Sequence, residues 1–186
     1  MRAVVTGAKQ GIGLAIQDVF LDAGNEVAAF DPAFDNPTRG SRRGQRAHQF
    51  KVDISDSDAV SVAIGEAAQL LGGIDVLINN AGIGGPRKPA GDITDEEWRK
   101  VHAVNLDGAF YMVRGALPHL RRSGAPSIVN IITTSVKAGL PLRLPYVTSK
   151  AALQELTISL ARELGPEGIR CNAIQPGAIE NARGDA

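Results

Sequence analysis

Several features are scarce in this chain of 186 residues, and each scarcity excludes a class of protein. A single cysteine, Cys171 in the apolar run IRCNAI, excludes an intrachain disulfide and is compatible with a reducing compartment. The three histidines lack metal-ligand spacing, so no metal site is predicted. Lys plus Arg equals Asp plus Glu, 20 each, which removes the electrostatic reason to expect nucleic acid as a partner. No apolar run approaches membrane-spanning length. These absences favour a cytoplasmic globular protein without a membrane partner.

Short β-branched runs alternate with longer helical patterns along the chain. Strands are predicted over 3–6, 26–30, 48–54, 74–79, 127–133 and 169–176, and helices over 11–24, 56–72, 94–122 and 145–164. A polar connection without a strong pattern occupies 32–46. Such alternation predicts an α/β fold, a doubly wound parallel sheet with helices on both faces. We expect one domain over residues 1–186.

The helical patterns carry recognisable faces and caps. The first predicted helix would bury Ile12, Ile16, Val19 and Phe20. The second would bury Val60, Ile64, Ala67, Ala68 and Leu71, which recur at helical spacing. Thr94 opens the third helix with Glu97 three positions later, the signature of a capping box.

A glycine-rich turn, VVTGAKQGIGLAI, joins the first strand to the first helix. Gly7, Gly11 and Gly13 permit a tight turn and let backbone N–H groups approach a pyrophosphate, which the helix N-terminus also favours. Three glycines alone would also fit an ordinary turn. Their strand–turn–helix context favours a dinucleotide-binding site.

The cofactor is predicted from two aspartates. Asp31 follows the second strand, where a carboxylate would bind the adenosine ribose and repel a 2′-phosphate, so NAD is favoured over NADP. The alternative is that Arg39, Arg42 or Arg43 binds that phosphate. Asp53 follows the third strand and is suited to bind the adenine amino group, or simply to cap a helix.

Five motifs together resemble the classical short-chain dehydrogenases/reductases over essentially the whole chain. The matching segments are TGAKQGIG (6–13), NNAG (79–82), Asn105 within VNLDG, the Tyr-x-x-x-Lys pair Tyr146 and Lys150, and Pro-Gly at 176–177. Each motif is modest alone, and their order and intervals are specific. The resemblance implies a Rossmann-like sheet with strand order 3-2-1-4-5-6.

The resemblance implies hydride transfer between NAD(H) and a secondary alcohol or ketone. It assigns catalysis to Tyr146, Lys150, a strand-end hydroxyl and Asn105, which would hold a water in a proton relay. The implied cofactor contacts are Gly7, Lys9, Gln10, Gly11, Ile12, Gly13, Asp31, Asp53, Ile54, Asn80, Ala81, Gly82, Tyr146, Lys150, Pro176, Gly177 and Ile179.

The spacing of Tyr146 and Lys150 supports this chemistry independently. Four residues apart on a helix, the two side chains share one face. A free phenol is almost fully protonated at neutral pH and is therefore a poor general base. A nearby ammonium favours the ionised phenolate. Such a pair by itself would more often be an accident of a helix surface.

The catalytic hydroxyl is either Thr133 or Ser135. The family places a serine thirteen residues before the tyrosine, and 146 − 133 = 13 selects Thr133. Ser135 preserves the residue type but requires a two-residue deletion before Tyr146. We favour Thr133, whose hydroxyl has the same donor and acceptor as serine and whose methyl group narrows the pocket.

The segment after Pro-Gly, AIENARGDA, departs from the family pattern. The family continues into a substrate-covering segment and a seventh strand, so we expect either that this sequence is incomplete at its C-terminus or that the protein is a truncated member. Asn181 stands where a threonine usually contacts the nicotinamide carboxamide.

Two alternatives to an NAD-dependent enzyme remain: a non-catalytic dinucleotide-binding module and an NADP-dependent reductase. The family also implies a homodimer or homotetramer through the helices at 94–122 and 145–164.

Overall fold

The computed structural model describes residues 1–35, 39–42 and 45–179. Seven strands form one sheet: β1 Arg2–Thr6, β2 Glu26–Phe30, β3 Arg39–Arg42, β4 Gln45–Phe50, β5 Val76–Asn79, β6 Ser127–Ile131 and β7 Arg170–Ile174. Their order is β3-β4-β2-β1-β5-β6-β7. All neighbouring pairs are parallel except β3 with β4.

Within the described ranges, six helices flank the sheet. They are α1 Gly11–Asp22, α2 Ser57–Leu71, α3 Asp95–His102, α4 Gly108–Leu120, the single turn α5 Ser135–Ala138 and the long α6 Leu144–Leu164. Short 3-10 segments cover Ala90–Asp92 and Gly165–Glu167, and a π-helical turn, Ala103–Asp107, joins α3 to α4.

The six parallel strands confirm the predicted α/β class and the strand order 3-2-1-4-5-6. One further strand was not predicted: β3 lies inside the polar connection 32–46 and pairs antiparallel with β4 at the sheet edge. The predicted third strand, 48–54, is shifted, because β4 begins at Gln45 and ends at Phe50. Residues 51–54 instead form the turn that leads to α2.

The core lies on both faces of the sheet. Within β1, Val4 belongs to the core beneath α2 and α4, whereas Ala3 and Val5 belong to the core beneath α1. Successive strand residues point to opposite faces, so burial of both requires an uninterrupted apolar strand. This is why the strands show no hydrophobic alternation in the sequence.

The helix faces were predicted with unequal success. All five residues predicted to be buried on α2 are buried, which confirms that face. On α1 the prediction was wrong for Val19, which is 67% exposed, whereas Leu21 is buried. Ile16 and Phe20 pack partly buried against the core beneath α1. The apolar residues of α1 form a stripe wider than the surface that contacts the sheet. The sequence therefore does not determine which edge of the stripe is buried.

The caps of α2 and α3 are formed by side chains. The Asp56 carboxylate accepts hydrogen bonds from the N–H groups of Asp58 and Ala59, so Asp56 caps α2 and Asp53 does not. Thr94 and Glu97 form the predicted capping box: the Glu97 N–H donates to Thr94 Oγ1 at 3.2 Å and the Thr94 N–H donates to Glu97 Oε2 at 3.0 Å.

Within the described ranges, none of the helices combines the length and hydropathy needed to cross a membrane. Over the same ranges, His, Cys, Asp and Glu side chains do not gather into a group of three that could hold a metal ion. Cys171 is buried, as predicted, and burial raises the pKa of its thiol to about 11. A thiol that stays protonated at neutral pH is a poor nucleophile.

Candidate active site

A cleft of about 760 Å³ opens at the carboxyl ends of the parallel strands. It lies where the strand order reverses beside β1, the position at which open α/β sheets bind their ligands. The predicted site residues that line it are Gln10, Gly11, Ile12, Asn80, Gly82, Thr133, Tyr146, Lys150, Pro176, Gly177 and Ile179. The other predicted residues do not line it: Gly7, Lys9, Gly13, Asp31, Asp53, Ile54, Ala81, Asn105 and Ser135.

The glycine turn has the geometry that its sequence predicts. Gly7 and Gly11 adopt φ values of +65° and +58°, in the left-handed region that favours glycine. A Cβ at Gly13 would overlap the Gly7 carbonyl oxygen and the side chain of Asn80. The turn and the N-terminus of α1 are therefore held close together, and the backbone fits a pyrophosphate group.

Replacing Gly13 with alanine tests this close approach. We expect Gly13→Ala to lower the free energy of unfolding by about 1–3 kcal/mol, because backbone must move to admit the methyl group. NADH affinity should fall by about tenfold or more, since the same backbone is predicted to hold the phosphates of the cofactor. Fluorescence titration with NADH and urea unfolding measure the two effects.

The matched control is Gly65→Ala, because Gly65 lies within α2 and an added Cβ would meet nothing within 4 Å. That variant should gain about 0.5–1 kcal/mol of stability and bind NADH like the wild type. Unchanged NADH affinity in Gly13→Ala would contradict the role of the turn.

Thr6 joins the glycine turn to the loop after β5, a role that the sequence analysis missed. Its Oγ1 accepts hydrogen bonds from the N–H groups of Asn80 and Ala81, both at 3.0 Å. Asn80 Nδ2 in turn donates to the Thr6 carbonyl at 2.9 Å and to the Gly7 carbonyl at 3.2 Å. A threonine directly before the glycine triad is the signal that was available. These bonds place Asn80 and Ala81 against the turn.

Asp31 lies directly after β2, where its prediction as a ribose ligand requires it. It is only 8% exposed and accepts hydrogen bonds from the N–H groups of Lys9 at 3.2 Å and Ala33 at 2.9 Å. The Lys9 ammonium contacts the Ala33 carbonyl and lies 3.6 Å from Asp35. The side chains of Arg39, Arg42 and Arg43, the alternative ligands for a 2′-phosphate, lie outside the described residues.

Asp53 and Ile54 form the turn after β4. Asp53 is exposed, and its Oδ1 accepts hydrogen bonds from the Ser55 N–H at 2.9 Å and the Ser55 hydroxyl at 2.7 Å. Ile54 is buried beside Gly108, where a Cβ would overlap the Ile54 side chain. The aspartate therefore stands in a rigid turn with one carboxylate oxygen already occupied.

Asn105 lies in the π-helical turn and is almost fully buried, at 1% exposure. Its Oδ1 accepts from the Ile83 N–H at 2.8 Å, and its Nδ2 donates to the Ile83 carbonyl and to Ser149 Oγ, both at 3.0 Å. The π-helical turn divides the helix predicted over 94–122 into α3 and α4. Such turns often occur at functional sites. The observed side-chain bonds join the loop after β5 to α6, beside Lys150.

Lys150 reaches across to the end of β6. It is 4% exposed, and its Nζ donates to the Ile131 carbonyl at 2.7 Å. A Cβ at Gly82 would stand 3.3 Å from Lys150 Nζ and 3.1 Å from Asn105 Oδ1, so only glycine leaves both groups their present positions. This packing directs the buried ammonium into the cleft.

The two candidate hydroxyls are hydrogen-bonded to each other. Thr133 Oγ1 donates to Ser135 Oγ at 3.1 Å, and the Ser135 N–H donates to Thr133 Oγ1 at 3.2 Å. Thr133 lines the cleft together with Tyr146, whereas Ser135 opens α5 and does not line it. The geometry thus favours the residue that the spacing selected.

Pro176, Gly177 and Ile179 form the wall of the cleft beyond β7. The Thr134 N–H donates to the Pro176 carbonyl at 3.1 Å, which holds this segment against the strand end that carries Thr133. Asn181, the predicted substitute for the family threonine, lies outside the described residues.

Two arginines in the cleft were also missed. Arg87 and Arg143 line it together with Tyr146. Arg143 Nη1 donates to the carbonyls of Gly84 and Gly85, both at 3.2 Å. Neither arginine belongs to a family motif. The two residues are distant in sequence, and they share the cleft only because the fold brings the loop after β5 to the start of α6.

Comparison with known proteins agrees with this arrangement. A family model described as short chain dehydrogenase matches residues 1–185. The chain is 42% identical over 186 residues to 2-(R)-hydroxypropyl-CoM dehydrogenase of Xanthobacter autotrophicus, a match that covers 96% of this chain and 74% of that protein. It is 32% identical over 179 residues to 2-dehydro-3-deoxy-L-rhamnonate dehydrogenase (NAD(+)) of Sphingomonas, with 96% and 72% covered.

The solved structures include a similar fold. The 3-ketoacyl-(acyl-carrier-protein) reductase of Brucella melitensis, complexed with NADH, superimposes with a TM-score of 0.90 at 30% identity, covering 97% of this chain and 77% of that chain. The family match, the relatives and the strand-end cleft agree. The chain belongs to the short-chain dehydrogenase/reductase family and is an NAD(P)-dependent oxidoreductase that acts on CH–OH groups.

Proposed function

We propose that the protein interconverts a secondary alcohol and its ketone with NAD(H), using Tyr146, Lys150, Thr133 and Asn105. The observation that carries this proposal is that Thr133, Tyr146 and Lys150 line one cleft, although Thr133 lies in the segment after β6 and the other two lie on α6. Such a cleft offers a proton donor and acceptor, a fixed positive charge and a second hydroxyl, the groups needed at a reacting alcohol oxygen.

The proposed chemistry divides the work among these side chains. The nicotinamide ring, when bound, accepts hydride from the alcohol carbon. The Tyr146 phenolate takes the hydroxyl proton of the substrate, and the Lys150 ammonium stabilises that phenolate. Thr133 Oγ1 hydrogen-bonds the substrate oxygen and keeps it beside Tyr146. In the reverse direction the Tyr146 phenol returns the proton to the ketone oxygen.

We assign Asn105 a positioning part and a place in the proton relay. Its three side-chain hydrogen bonds fix the loop that contains Gly82 against α6. Asn105 Oδ1 and Lys150 Nζ both lie close to Gly82, so the proposed relay would place a water molecule near these two polar groups.

The preferred cofactor in this proposal is NAD rather than NADP. The Asp31 carboxylate is buried directly after β2, and its negative charge would repel a 2′-phosphate on the adenosine ribose. The relative from Sphingomonas is named as NAD(+)-dependent, and the Brucella structure contains NADH, which supports the same choice. Gly7, Gln10, Gly11, Ile12 and Gly13 would hold the pyrophosphate.

Asp31→Asn tests the cofactor choice, because asparagine keeps a similar shape while the charge is lost. Wild-type protein should bind NADH at least tenfold more tightly than NADPH, and the variant should reduce that preference by about tenfold. Fluorescence titration with each cofactor measures both affinities. Asp35→Asn is the control, since Asp35 is 97% exposed and should leave the preference unchanged. A wild-type preference for NADPH would overturn the assignment.

A screen of secondary alcohols with NAD⁺ and of ketones with NADH then tests the reaction itself. We expect the wild-type protein to convert at least one of these compounds and the Tyr146→Phe variant to convert it far more slowly. Tight NADH binding without turnover of any substrate would contradict the catalytic proposal and support the non-catalytic binding module instead.

The proposed assembly is a homodimer or homotetramer formed by the helices at 94–122 and 145–164. Phe110 on α4 and Ile158 on α6 are 43% and 41% exposed, large apolar side chains that a partner copy would cover. Phe110→Glu should shift the protein toward monomer in sedimentation experiments. Val62→Glu on α2, also at an exposed apolar position, should leave the assembly intact.

A further inference from the structure

A pair of arginines stands beside the proposed catalytic tyrosine. Arg143 is the residue that directly precedes α6, three positions before Tyr146, and Arg87 lies in the loop after β5. Both line the cleft that contains Thr133 and Lys150. This places two positive charges in the same cleft as the residues proposed to contact the substrate oxygen.

The charge around this pair is unbalanced. The cleft has three cationic lining residues, Arg87, Arg143 and Lys150, and no acidic one among the described residues. Burial lowers the pKa of the Arg143 guanidinium, and the neighbouring charge of Arg87 lowers it further. The repulsion between the Arg87 and Arg143 charges is unfavourable, and a bound anion would relieve it.

The nearby carboxylate is already engaged elsewhere. Glu97 accepts hydrogen bonds from the Lys88 ammonium at 2.5 Å and from the Thr94 N–H at 3.0 Å. Within the ranges that the structure describes, neither Arg87 nor Arg143 has an ion-pair partner. The fold therefore neutralises Lys88 and leaves the adjacent Arg87 available for an external anion.

Arg143 is also fixed in place. Two carbonyl oxygens, those of Gly84 and Gly85, accept from its Nη1, while an arginine carries five N–H donors in a planar fork. The remaining donors have no partner among the described residues, and a planar fork suits the paired oxygens of a carboxylate, sulfonate or phosphate. Leu140 and Ile83 supply apolar lining for a short carbon chain.

We propose that Arg87 and Arg143 form an anion subsite, so that the substrate is a small alcohol or ketone carrying a carboxylate, sulfonate or phosphate group close to the reacting carbon. This inference rests on the proposed function, because it names the substrate class of that same cleft. It distinguishes this protein from an enzyme for neutral alcohols.

The kinetic test compares ketones that differ in charge. Wild-type protein with NADH is assayed with acetoacetate, 2-oxopropane-1-sulfonate, hydroxyacetone phosphate and neutral 2-pentanone. At least one anionic ketone should have a kcat/KM about tenfold or more above that of 2-pentanone, and the best of the three identifies the anion. In Arg87→Gln and Arg143→Gln, the ratio of anionic to neutral kcat/KM should fall by roughly tenfold to hundredfold, mostly through KM.

Arg87→Gln is the principal variant, because Arg87 is exposed and makes no hydrogen bond within the described ranges, so its loss should not disturb folding. Arg143→Lys accompanies Arg143→Gln and should retain part of the preference, since the charge remains while the fork is lost. Arg170→Gln, an exposed arginine at the start of β7, is the control and should leave every ratio unchanged. A higher kcat/KM for 2-pentanone, or a ratio that Arg87→Gln does not change, would overturn the proposal.

A binding measurement separates this inference from the proposed function. Isothermal titration calorimetry with unreactive propane-1-sulfonate, acetate and inorganic phosphate does not require turnover. If no ketone is reduced, the proposed function fails, whereas anion binding that weakens about tenfold in Arg87→Gln would still establish the subsite. If none of these anions binds the wild-type protein and no anionic ketone is preferred, the subsite is wrong.

Discussion

Tyr146→Phe should lower kcat by about 10²- to 10⁴-fold, because the substitution removes the only group proposed to exchange a proton with the substrate oxygen. Phenylalanine keeps the ring and its packing, so the fold and NADH binding should persist. Steady-state assays with the best substrate from the screen, together with an NADH titration, measure the two properties separately. The loss should be present at every pH at which the wild-type protein is active.

Tyr111→Phe is the matched control for this variant. Tyr111 is the other of the two tyrosines in the chain, and it lies on α4 beside Phe110 and Arg114, away from the residues that line the cleft. It should retain full kcat. The proposed mechanism is wrong if Tyr146→Phe keeps more than a tenth of the wild-type kcat while Tyr111→Phe keeps the full wild-type kcat. Another group must then transfer the proton.

Thr133→Ala should lower kcat/KM by about 10²- to 10³-fold, the cost of removing one preorganised donor at a reacting oxygen. Thr133→Ser should stay within about threefold of the wild type, since the hydroxyl is retained. The threonine methyl fills space in the cleft, so the serine variant should also accept bulkier ketones than the wild type. Kinetics on a series of ketones of increasing size would detect that change.

Ser135→Ala separates the two hydroxyls. Ser135 Oγ is the hydrogen-bond acceptor of Thr133 Oγ1, so its loss should leave Thr133 less well oriented and reduce kcat/KM by less than about tenfold. Should Ser135→Ala be more damaging than Thr133→Ala, the spacing argument has selected the wrong residue and Ser135 is the catalytic hydroxyl.

Local patterns predicted much of the fold because the information they carry is local. The five apolar positions of α2 recur at helical spacing and all are buried, and Thr94 with Glu97 forms the capping box of α3 within four residues. The glycine turn is similar: positive φ at Gly7 and Gly11 is a property of the backbone of those residues. Each of these features can be read from a short window.

Other features depended on neighbours far apart in the chain. The antiparallel strand β3 arises where its backbone can pair with the free edge of β4, although its own residues show no strand pattern. Val19 is exposed and Leu21 buried because Leu21, and not Val19, packs into the core beneath α1. The π-helical turn at Asn105 accompanies side-chain bonds to Ile83 and Ser149, both distant in sequence.

The amino-acid sequence by itself determined the α/β class, the strand order through its family motifs, the glycine turn and the Tyr146–Lys150 pair, since all of these follow from residue type and spacing. Only the tertiary structure placed Thr133 in the cleft and Ser135 beside it, and brought Arg87 within electrostatic reach of Arg143. These arrangements join residues that the sheet and its loops bring together. The charge of the cleft, and with it the proposed class of substrate, is therefore a property of the folded chain.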